Sequence, residues 1–463
     1  MGNGLRWRQE GMHAGMVLVL VLFALVTVIL LHLRGGAHTL PLGLSGSVWL
    51  LGLGLVPLAV LLWHLWQQES PLLKALGWLL LAGLHLYFIM ALPHLSDDVY
   101  RFLWDGHLLA AGHHPFAHIP AWYMEHPEVA VPGITEALYL QLNSPEYFSI
   151  YPPLNQLLFW LSAVLGQSTE QGIVIIRLAV IAASLGNVWL LRGLLPRFGL
   201  PRVWVLLYAL HPMVLLEFTL NLHFEVFLIF FLLLSIRAWK SGHWVWSAVW
   251  LALSVLSKLS PLIFLPLLFF RLGWKRSLCF YAIVGGVVLL GFLPLLDVDL
   301  LLGMRESVGL YFQKFEFNAS IYYLARWLGF ELVGYNVIQT LGPWLGIFTF
   351  AGILLFSFLE RGKKSLPEAM LWVLLLFLAM STTVHPWYIS TLMVLGLLSG
   401  WRFPLVWSLT VFISYAGYDE TGYTIPWLGI WLEYLIVLVV LLWELWHRYT
   451  YDERTIKSPV AAA

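Results

Sequence analysis

Long uninterrupted apolar runs constrain the fold of this chain more than any other feature. Examples are residues 16–33, 48–66, 73–92, 333–359 and 427–446. As α-helices, runs of this length cross a hydrocarbon core of about 30 Å. By the same criterion the chain has about twelve to fourteen spans. The sequence therefore predicts an all-α polytopic membrane protein, whose first run is an anchor rather than a cleaved signal peptide.

Composition limits the partners. The chain is 60% hydrophobic, 11% charged and has a formal net charge of zero. No run of like charges is long enough for a nucleic-acid surface, so we expect no nucleic-acid partner and a neutral or lipid-borne one instead. Cys279 is the single cysteine, which excludes an intrachain disulfide and a thiolate metal cluster.

Basic residues near span ends predict orientation, because they favour the cytoplasmic side. Arg6 and Lys74 place the first long loop, residues 94–150, outside. Arg361 likewise places the second long loop, residues 297–332, outside. By the same rule the polar tail after residue 450 is cytoplasmic.

Residues 151–270 allow two topologies. An arginine cluster around Arg197 favours an odd number of crossings over residues 151–191, whereas the length of that segment indicates two short spans. The second topology needs residues 244–270 as one long span. Both topologies keep residues 94–150 outside. They differ in the side of the membrane on which Asn221, His223 and Lys258 lie.

A charged segment begins at Ser96, a natural N-cap, and continues with Asp97 and Asp98. We expect a helix from Asp97 to about Ala111 at the membrane interface.

On a helical wheel Asp98 and Asp105 lie about 20° apart, with Arg101 about 60° away. One face would then present two carboxylates and a guanidinium to a cavity, while Phe102 and Leu103 face lipid. The alternative is a purely structural helix that carries an ion pair between Asp97 and Arg101.

Five motifs carry a family resemblance. They are SDDVYRFLWDG from Ser96, YPPLNQLLFW from Tyr151, HPMVLLEFTLNLHFE from His211, SKLSPLIFLP from Ser257 and HPWYIS from His385. In this order they resemble the C-type (GT-C) glycosyltransferases, specifically the polyprenyl-phosphate-mannose-dependent mannosyltransferases. The resemblance covers residues 73–401, with residues 1–66 as two additional N-terminal spans. The chain departs from the family's usual GHxD, which here reads Leu222 to Glu225.

The resemblance implies a GT-C bundle over residues 1–450, with interfacial helices in the two outer loops and a polar cytoplasmic tail at 451–463. It implies transfer of a sugar, with mannose as the expected sugar, from a polyprenyl phosphate to a glycolipid, polysaccharide or protein. The reaction would occur on the extracytoplasmic side of the cell (inner) membrane. In similar enzymes the first acid is the base, which corresponds to Asp97 with Asp98 in support, and Tyr151 lines the donor site.

The chemistry also needs a positive group near the leaving phosphate. Candidates are Lys258 in an apolar run, Arg305 in the second loop, and His385 beside Tyr388. Each has a structural alternative: a lysine snorkelling from a span end, a solvated arginine, and a turn histidine packed between aromatic rings.

A second polar set lies within apolar sequence. It comprises Glu217, Asn221, His223 and Glu225, and Arg177 is the expected partner of its carboxylates. A functional site and an internal structural pair explain this set equally well.

No cofactor is certain. The histidines of the first loop lack the spacing of a zinc site, so a divalent cation, if one binds, would be held by Asp97 and Asp98. Two other classes stay open: a polytopic transporter or lipid-linked sugar flippase, and a lipid-binding scaffold.

Overall fold

The computed structural model describes residues 60–67, 70–93, 95–419 and 422–457. The predicted span at 16–33 and most of that at 48–66 lie outside the described residues, as does the end of the tail from residue 458.

The described part of the chain is almost entirely helical. Residues 60–67 are helical. The next nine α-helices are α1 (Pro71–Leu86), α2 (Asp98–Ala110), α3 (Pro120–Glu125), α4 (Glu136–Tyr139), α5 (Pro153–Leu165), α6 (Thr169–Leu194), α7 (Leu206–Ala209), α8 (Glu225–Lys240) and α9 (Trp244–Ser257). The others are α10 (Leu265–Leu272), α11 (Trp274–Phe292), α12 (Val298–Gln313), α13 (Ile321–Val333), α14 (Ile338–Glu360), α15 (Leu366–Met380), α16 (Ile389–Ser399), α17 (Phe403–Thr410) and α18 (Trp427–Lys457).

Shorter elements join these helices. A π-helix covers Val214–Leu220. The 3-10 helices are Leu195–Phe198, Arg202–Val205, Ser260–Phe264, Leu293–Leu295, Pro386–Tyr388 and Val411–Gly417. Two short strands, β1 (Tyr418–Asp419) and β2 (Gly422–Tyr423), pair antiparallel with Tyr418 opposite Tyr423.

Several helices are long and apolar enough to cross a membrane. Among the described residues they are Thr169–Phe198, Trp274–Leu295, Ile338–Glu360 and Trp427–Arg448. The pair Arg202–Ala209 and Val214–Leu220, bent by 56°, could form a fifth span, and further apolar helices of 10–17 residues accompany them. The prediction of an all-α polytopic membrane protein is confirmed, whereas the figure of twelve to fourteen spans stays a prediction.

Residues 244–270, which one of the two topologies treats as one long span, do not form one continuous helix. Helix α9 ends at Ser257, and Lys258 is extended, with φ −162° and ψ 137°. A 3-10 helix then begins at Ser260, and Pro261 is its second residue. Proline cannot donate a backbone hydrogen bond and disfavours helical geometry in the residue before it, so the apolar run breaks here.

Helix α2 lies inside the protein rather than at a lipid surface. Phe102 and Leu103, which were expected to face lipid, are buried, and the Phe102 ring stacks on Phe159 of α5 with 4.7 Å between centroids. Gly106 allows this close packing, because a Cβ there would lie 2.2 Å from the Phe159 carbonyl oxygen. In contrast, α12 in the second loop exposes Leu301 and Leu302, as an interfacial helix would.

Candidate active site

The first helix of the acidic segment begins one residue later than expected. Asp97 is the N-cap of α2, although its side chain makes no capping hydrogen bond. Instead the Ser96 hydroxyl accepts a hydrogen bond of 3.3 Å from the Asp98 backbone N–H. Asp97 is exposed at the surface. The surrounding protein and, to a smaller extent, the neighbouring Asp98 charge raise the pKa of the Asp97 carboxyl above its ordinary value.

Asp98 is fixed between two partners. The Asn143 side-chain amide donates a hydrogen bond of 2.9 Å to its Oδ1 atom. Its Oδ2 atom lies 3.9 Å from Nδ1 of His223, and a quarter of its side chain (25%) is exposed. Asp98 therefore joins the acidic loop to the polar segment after the π-helix.

His223 lies between Asp98 and a fully buried carboxylate. Its Nε2 atom is 3.3 Å from Oε2 of Glu217, without the geometry of a hydrogen bond. The Tyr415 hydroxyl donates a hydrogen bond of 2.9 Å to Oε1 of Glu217. Asp98, His223, Glu217 and Tyr415 thus form a continuous polar row, which we call the carboxylate row.

The backbone that presents His223 is strained. Leu222 is buried and has φ 67°, in the left-handed region where residues other than glycine are uncommon. The family that this chain resembles usually has glycine at this position. The Leu222 side chain gains burial in exchange for the unfavourable backbone geometry.

Aromatic rings continue from His223 into the C-terminal half. His223 stacks on Trp387 at 3.6 Å between centroids, and Trp387 stacks on His385 at 4.4 Å. His385 stacks in turn on Phe317 at 4.8 Å. We call these four residues the ring stack. It places the His385 turn beside the carboxylate row.

Lys258 has two partners. Its ammonium group forms an ion pair with Glu225, whose side chain is only 4% exposed, compared with 32% for the lysine. The same ammonium lies 4.0 Å above the Tyr388 ring. Asn155 of the YPPLN motif donates a hydrogen bond of 3.0 Å to the Ser257 carbonyl and so holds the end of α9 in place. Lys258 therefore lies at a helix end, and Glu225 partly neutralises its positive charge.

The protein around the His385 ring, together with His223 and Lys258, lowers the pKa of His385 to about 3. The imidazole is therefore neutral near pH 7. It can accept or donate a hydrogen bond, but it does not supply the positive charge that the sequence suggested for it.

The expected catalytic face with Asp98 beside Asp105 is wrong. Asp105 is fully buried and forms an ion pair with Nε of Arg101 at 2.8 Å. It also accepts hydrogen bonds from Ser149 and, at 2.9 Å, from Gln156. Arg101 donates a second hydrogen bond to the Tyr147 carbonyl, so it pairs neither with Asp97 nor with the carboxylate row. The two residues lock α2 to the end of the first loop.

Arg177 is not the partner of the buried glutamates. Its fully buried guanidinium donates hydrogen bonds to the carbonyls of Ile89 (2.8 Å), Thr219 (2.9 Å) and Leu220 (3.1 Å). It therefore ties the end of the π-helix to the chain just before the acidic segment. Asn221 reinforces this link, because its Oδ1 accepts a hydrogen bond of 3.2 Å from the backbone N–H of Leu95.

Two other candidates are placed apart from the carboxylate row. Tyr151 packs edge-on against Phe102 and Phe159, at 4.9 and 5.4 Å between centroids. Arg305 is exposed on α12. Their roles in donor binding stay predictions.

The two topologies for residues 151–270 place three residues on different sides of the membrane. Asn221 and His223 contact the acidic segment, and Lys258 reaches the HPWY turn. All three therefore lie at the same end of the bundle as Asp98.

Sequence reasoning missed several members of this site. Trp387 and Asn155 lay within recognised motifs, which was the available signal. Asn143 and Tyr415 lie in segments without any motif, so nothing in the sequence distinguished them.

Metal binding has little support from side chains alone. In the part of the chain that the structure describes, no group of three or more His, Cys, Asp or Glu side chains is placed to hold a metal ion. A divalent cation at Asp97 and Asp98 would need further oxygen ligands, such as those of a bound phosphate.

An apolar groove of about 250 Å³ lies between α10, α14 and α15. Leu262 and Ile263, shortly after Lys258, line it. Ser381 and Thr382, shortly before His385, also line it. Its remaining lining residues are Pro266, Gly342, Gly346, Thr349, Phe350, Ile353, Phe377 and Met380.

Comparison with known families assigns the chain to one of them. Residues 14–273, more than half of the chain, match the family model described as Alpha-(1->6)-mannopyranosyltransferase, N-terminal domain. No curated protein and no solved structure matches. The matched segment contains Asp97, Asp98, His223 and Lys258, and it ends before the His385 turn. The chain therefore belongs to the alpha-(1->6)-mannopyranosyltransferase family, and it is a membrane glycosyltransferase with mannosyltransferase activity rather than a transporter or a scaffold.

Proposed function

We propose that this enzyme transfers mannose from a polyprenyl phosphate to a glycan or glycolipid hydroxyl, forming an α-(1→6) linkage on the extracytoplasmic side of the cell membrane. The linkage follows the name of the family. The observation that carries the proposal is that Asp98, through His223 and Trp387, and Lys258, through Tyr388, both lie against the HPWY turn.

Asp97 is the base in this proposal. It is exposed to an incoming acceptor, and a raised pKa makes its carboxylate a stronger base than an ordinary aspartate. The acceptor oxygen attacks the anomeric carbon as its proton passes to Asp97. The bond from that carbon to the phosphate oxygen breaks, and the lipid phosphate leaves with the electron pair. A single displacement of this kind inverts the anomeric carbon.

Asp98 supports the base without accepting the proton. Its orientation is set by Asn143 and by the nearby His223. Its negative charge is one cause of the raised pKa of Asp97. Asp98→Asn would keep the shape of the side chain and remove its charge. Comparing it with Asp97→Asn therefore separates the role of the supporting charge from the role of the base.

Lys258 binds the donor phosphate in this proposal. Arg101 and Arg177 are buried, whereas the Lys258 side chain, although it is paired with Glu225, is 32% exposed and lies beside the HPWY turn. A sugar phosphodiester carries one negative charge, fewer than a diphosphate carries. A diphosphate would bring additional charge close to the carboxylate row, where like charges repel. The charge balance thus favours a monophosphate donor.

The groove suits the lipid chain of such a donor. Its lining is almost entirely apolar, and two of its lining residues, Ile263 and Thr382, are close in sequence to Lys258 and His385. A chain lying in the groove would bury apolar surface at about 25 cal/mol per Å². The phosphate at the head of the chain would then meet the Lys258 ammonium.

The extracytoplasmic side can be tested separately. After Cys279, which is exposed, is changed to serine, a cysteine placed at Glu128 should react with a membrane-impermeant maleimide in intact cells. A cysteine placed at Lys363, in the loop after α14, should react only after the membrane is opened. The reverse pattern would put the acidic segment in the cytoplasm.

Activity is tested by transfer of labelled mannose from a short-chain polyprenyl phosphate into membrane glycolipids. We expect Asp97→Asn to abolish transfer and Asp98→Asn to reduce it, with Glu128→Gln, an exposed change in the same loop, as the matched control. Full transfer by folded Asp97→Asn protein would remove Asp97 as the base. If the wild type used only a diphosphate-linked or nucleotide-linked sugar, the donor assignment would be wrong.

A further inference from the structure

The β1–β2 hairpin follows the 3-10 helix at Val411–Gly417 and lies outside the segment matched by the family model. Its base is closed by a hydrogen bond of 2.8 Å from the Thr424 N–H to the Gly417 carbonyl. Gly417 is required for this closure, because a Cβ there would lie 2.2 Å from the Thr424 carbonyl oxygen. The base of the hairpin is therefore tightly closed.

Tyr418, the first residue of the hairpin, is an exposed ring on an aromatic support. It is 47% exposed. Tyr423 lies behind it at 4.9 Å between centroids, and Tyr415 and Phe317 each lie at 6.0 Å. Phe317 also belongs to the ring stack. A ring supported in this way keeps its orientation while part of its surface stays open.

The position of Tyr418 relative to the carboxylates is given by two observations. Tyr415 connects Tyr418 to the carboxylate row through its hydrogen bond to Glu217. In addition, the surrounding protein and then the charges of Asp98 and Asp97 raise the pKa of the Tyr418 hydroxyl. Tyr418 therefore lies at the same end of the helix bundle as Asp97, the proposed base.

We propose that Tyr418 forms the subsite for the acceptor sugar, with its open ring against the apolar face of a pyranose whose hydroxyl reaches Asp97. This inference rests on the proposed function. The acceptor must approach the base from the side opposite the leaving phosphate, and the phosphate is assigned to Lys258. A tyrosine there offers a rigid apolar ring against which one face of a pyranose can pack.

The test compares Tyr418→Ala and Tyr418→Phe with Tyr335→Ala, a change at an exposed tyrosine just after α13. The probe acceptor is octyl α-mannoside, and KM is measured separately for acceptor and donor. We expect Tyr418→Ala to raise the acceptor KM about tenfold, equivalent to about 1.4 kcal/mol, with the donor KM unchanged. Tyr418→Phe keeps the ring and should stay near the wild type, as should Tyr335→Ala.

An unchanged acceptor KM in Tyr418→Ala would overturn the subsite, and so would an equal rise in both KM values. Saturation-transfer NMR of octyl α-mannoside on the Asp97→Asn protein gives a readout without turnover. Loss of that signal in the Asp97→Asn/Tyr418→Ala protein would support the subsite even if the wild type transferred no mannose, in which case only the proposed function fails. Signal retained in the double variant would overturn the subsite.

Discussion

Replacing Asp105 by asparagine should destabilise the protein rather than change its chemistry directly. The Asp105 carboxylate is fully buried and accepts from Arg101, Ser149 and Gln156. Asparagine keeps one acceptor oxygen but turns an NH₂ group toward donors, and it leaves the Arg101 charge buried without a carboxylate. Breaking one side of a buried ion pair costs about 3–5 kcal/mol. This is a large part of a typical stability of about 5–15 kcal/mol.

Asp97→Asn provides the contrast. Asp97 is exposed and makes no capping hydrogen bond, so its replacement should change the free energy of unfolding by no more than about 0.5 kcal/mol. Denaturant titration in mixed micelles, followed by tryptophan fluorescence, measures both variants against the wild type, and mannose transfer is measured per folded molecule. Arg101→Gln and the double variant complete a cycle that gives the coupling energy of the pair.

The reasoning predicts opposite profiles: Asp105→Asn loses stability and keeps its specific activity, while Asp97→Asn keeps stability and loses activity. An Asp105→Asn protein as stable as the wild type but inactive would refute the structural role given to the Arg101–Asp105 pair. A coupling energy near zero would refute the ion pair itself.

Three further outcomes are expected. Because Asp97 acts as a base only without its proton, activity should rise with pH as this carboxyl, whose pKa is raised, loses its proton. Asp98→Asn removes one cause of the raised pKa of Asp97. The acid limb of the pH–rate profile should therefore move to lower pH in this variant. Glu225→Gln frees the Lys258 ammonium and should lower the donor KM about tenfold, whereas Lys258→Gln should raise it, both in initial-rate assays. Arg177→Met leaves three carbonyls unpaired and should lower the unfolding free energy by several kcal/mol, at about 1–3 kcal/mol for each buried unpaired group.

The sequence predicted those features that are set locally. Apolar runs predicted the helical membrane class, and the acidic segment predicted a helix within one residue of its true start at Asp98. The motifs also led to His223, Lys258 and His385, which the structure brings to one end of the bundle. These predictions needed only helix periodicity and the cost of placing polar groups in lipid.

Partner choice was not predictable, because it depends on how helices pack. A helical wheel gives angles within one helix, but it does not show that Ser149 and Gln156, from other segments, donate hydrogen bonds to Asp105. Arg177 was assigned to a glutamate by charge, yet the end of the π-helix offers it unpaired carbonyls instead. The break at Lys258 lay within an apolar run whose composition indicated continuity.

The ring stack spans the boundary of the segment matched by the family model. His223 lies within residues 14–273, whereas His385, Trp387 and Phe317 lie beyond them. In the proposed function the base, its supporting acid and the phosphate-binding lysine therefore come from the segment that the family model matches, whereas Tyr418, the ring proposed to bind the acceptor, comes from the C-terminal part of the chain. Such a division lets selection change what the enzyme recognises without disturbing how it removes a proton. Exchanging the C-terminal halves of two family members is the corresponding route to a new specificity by design.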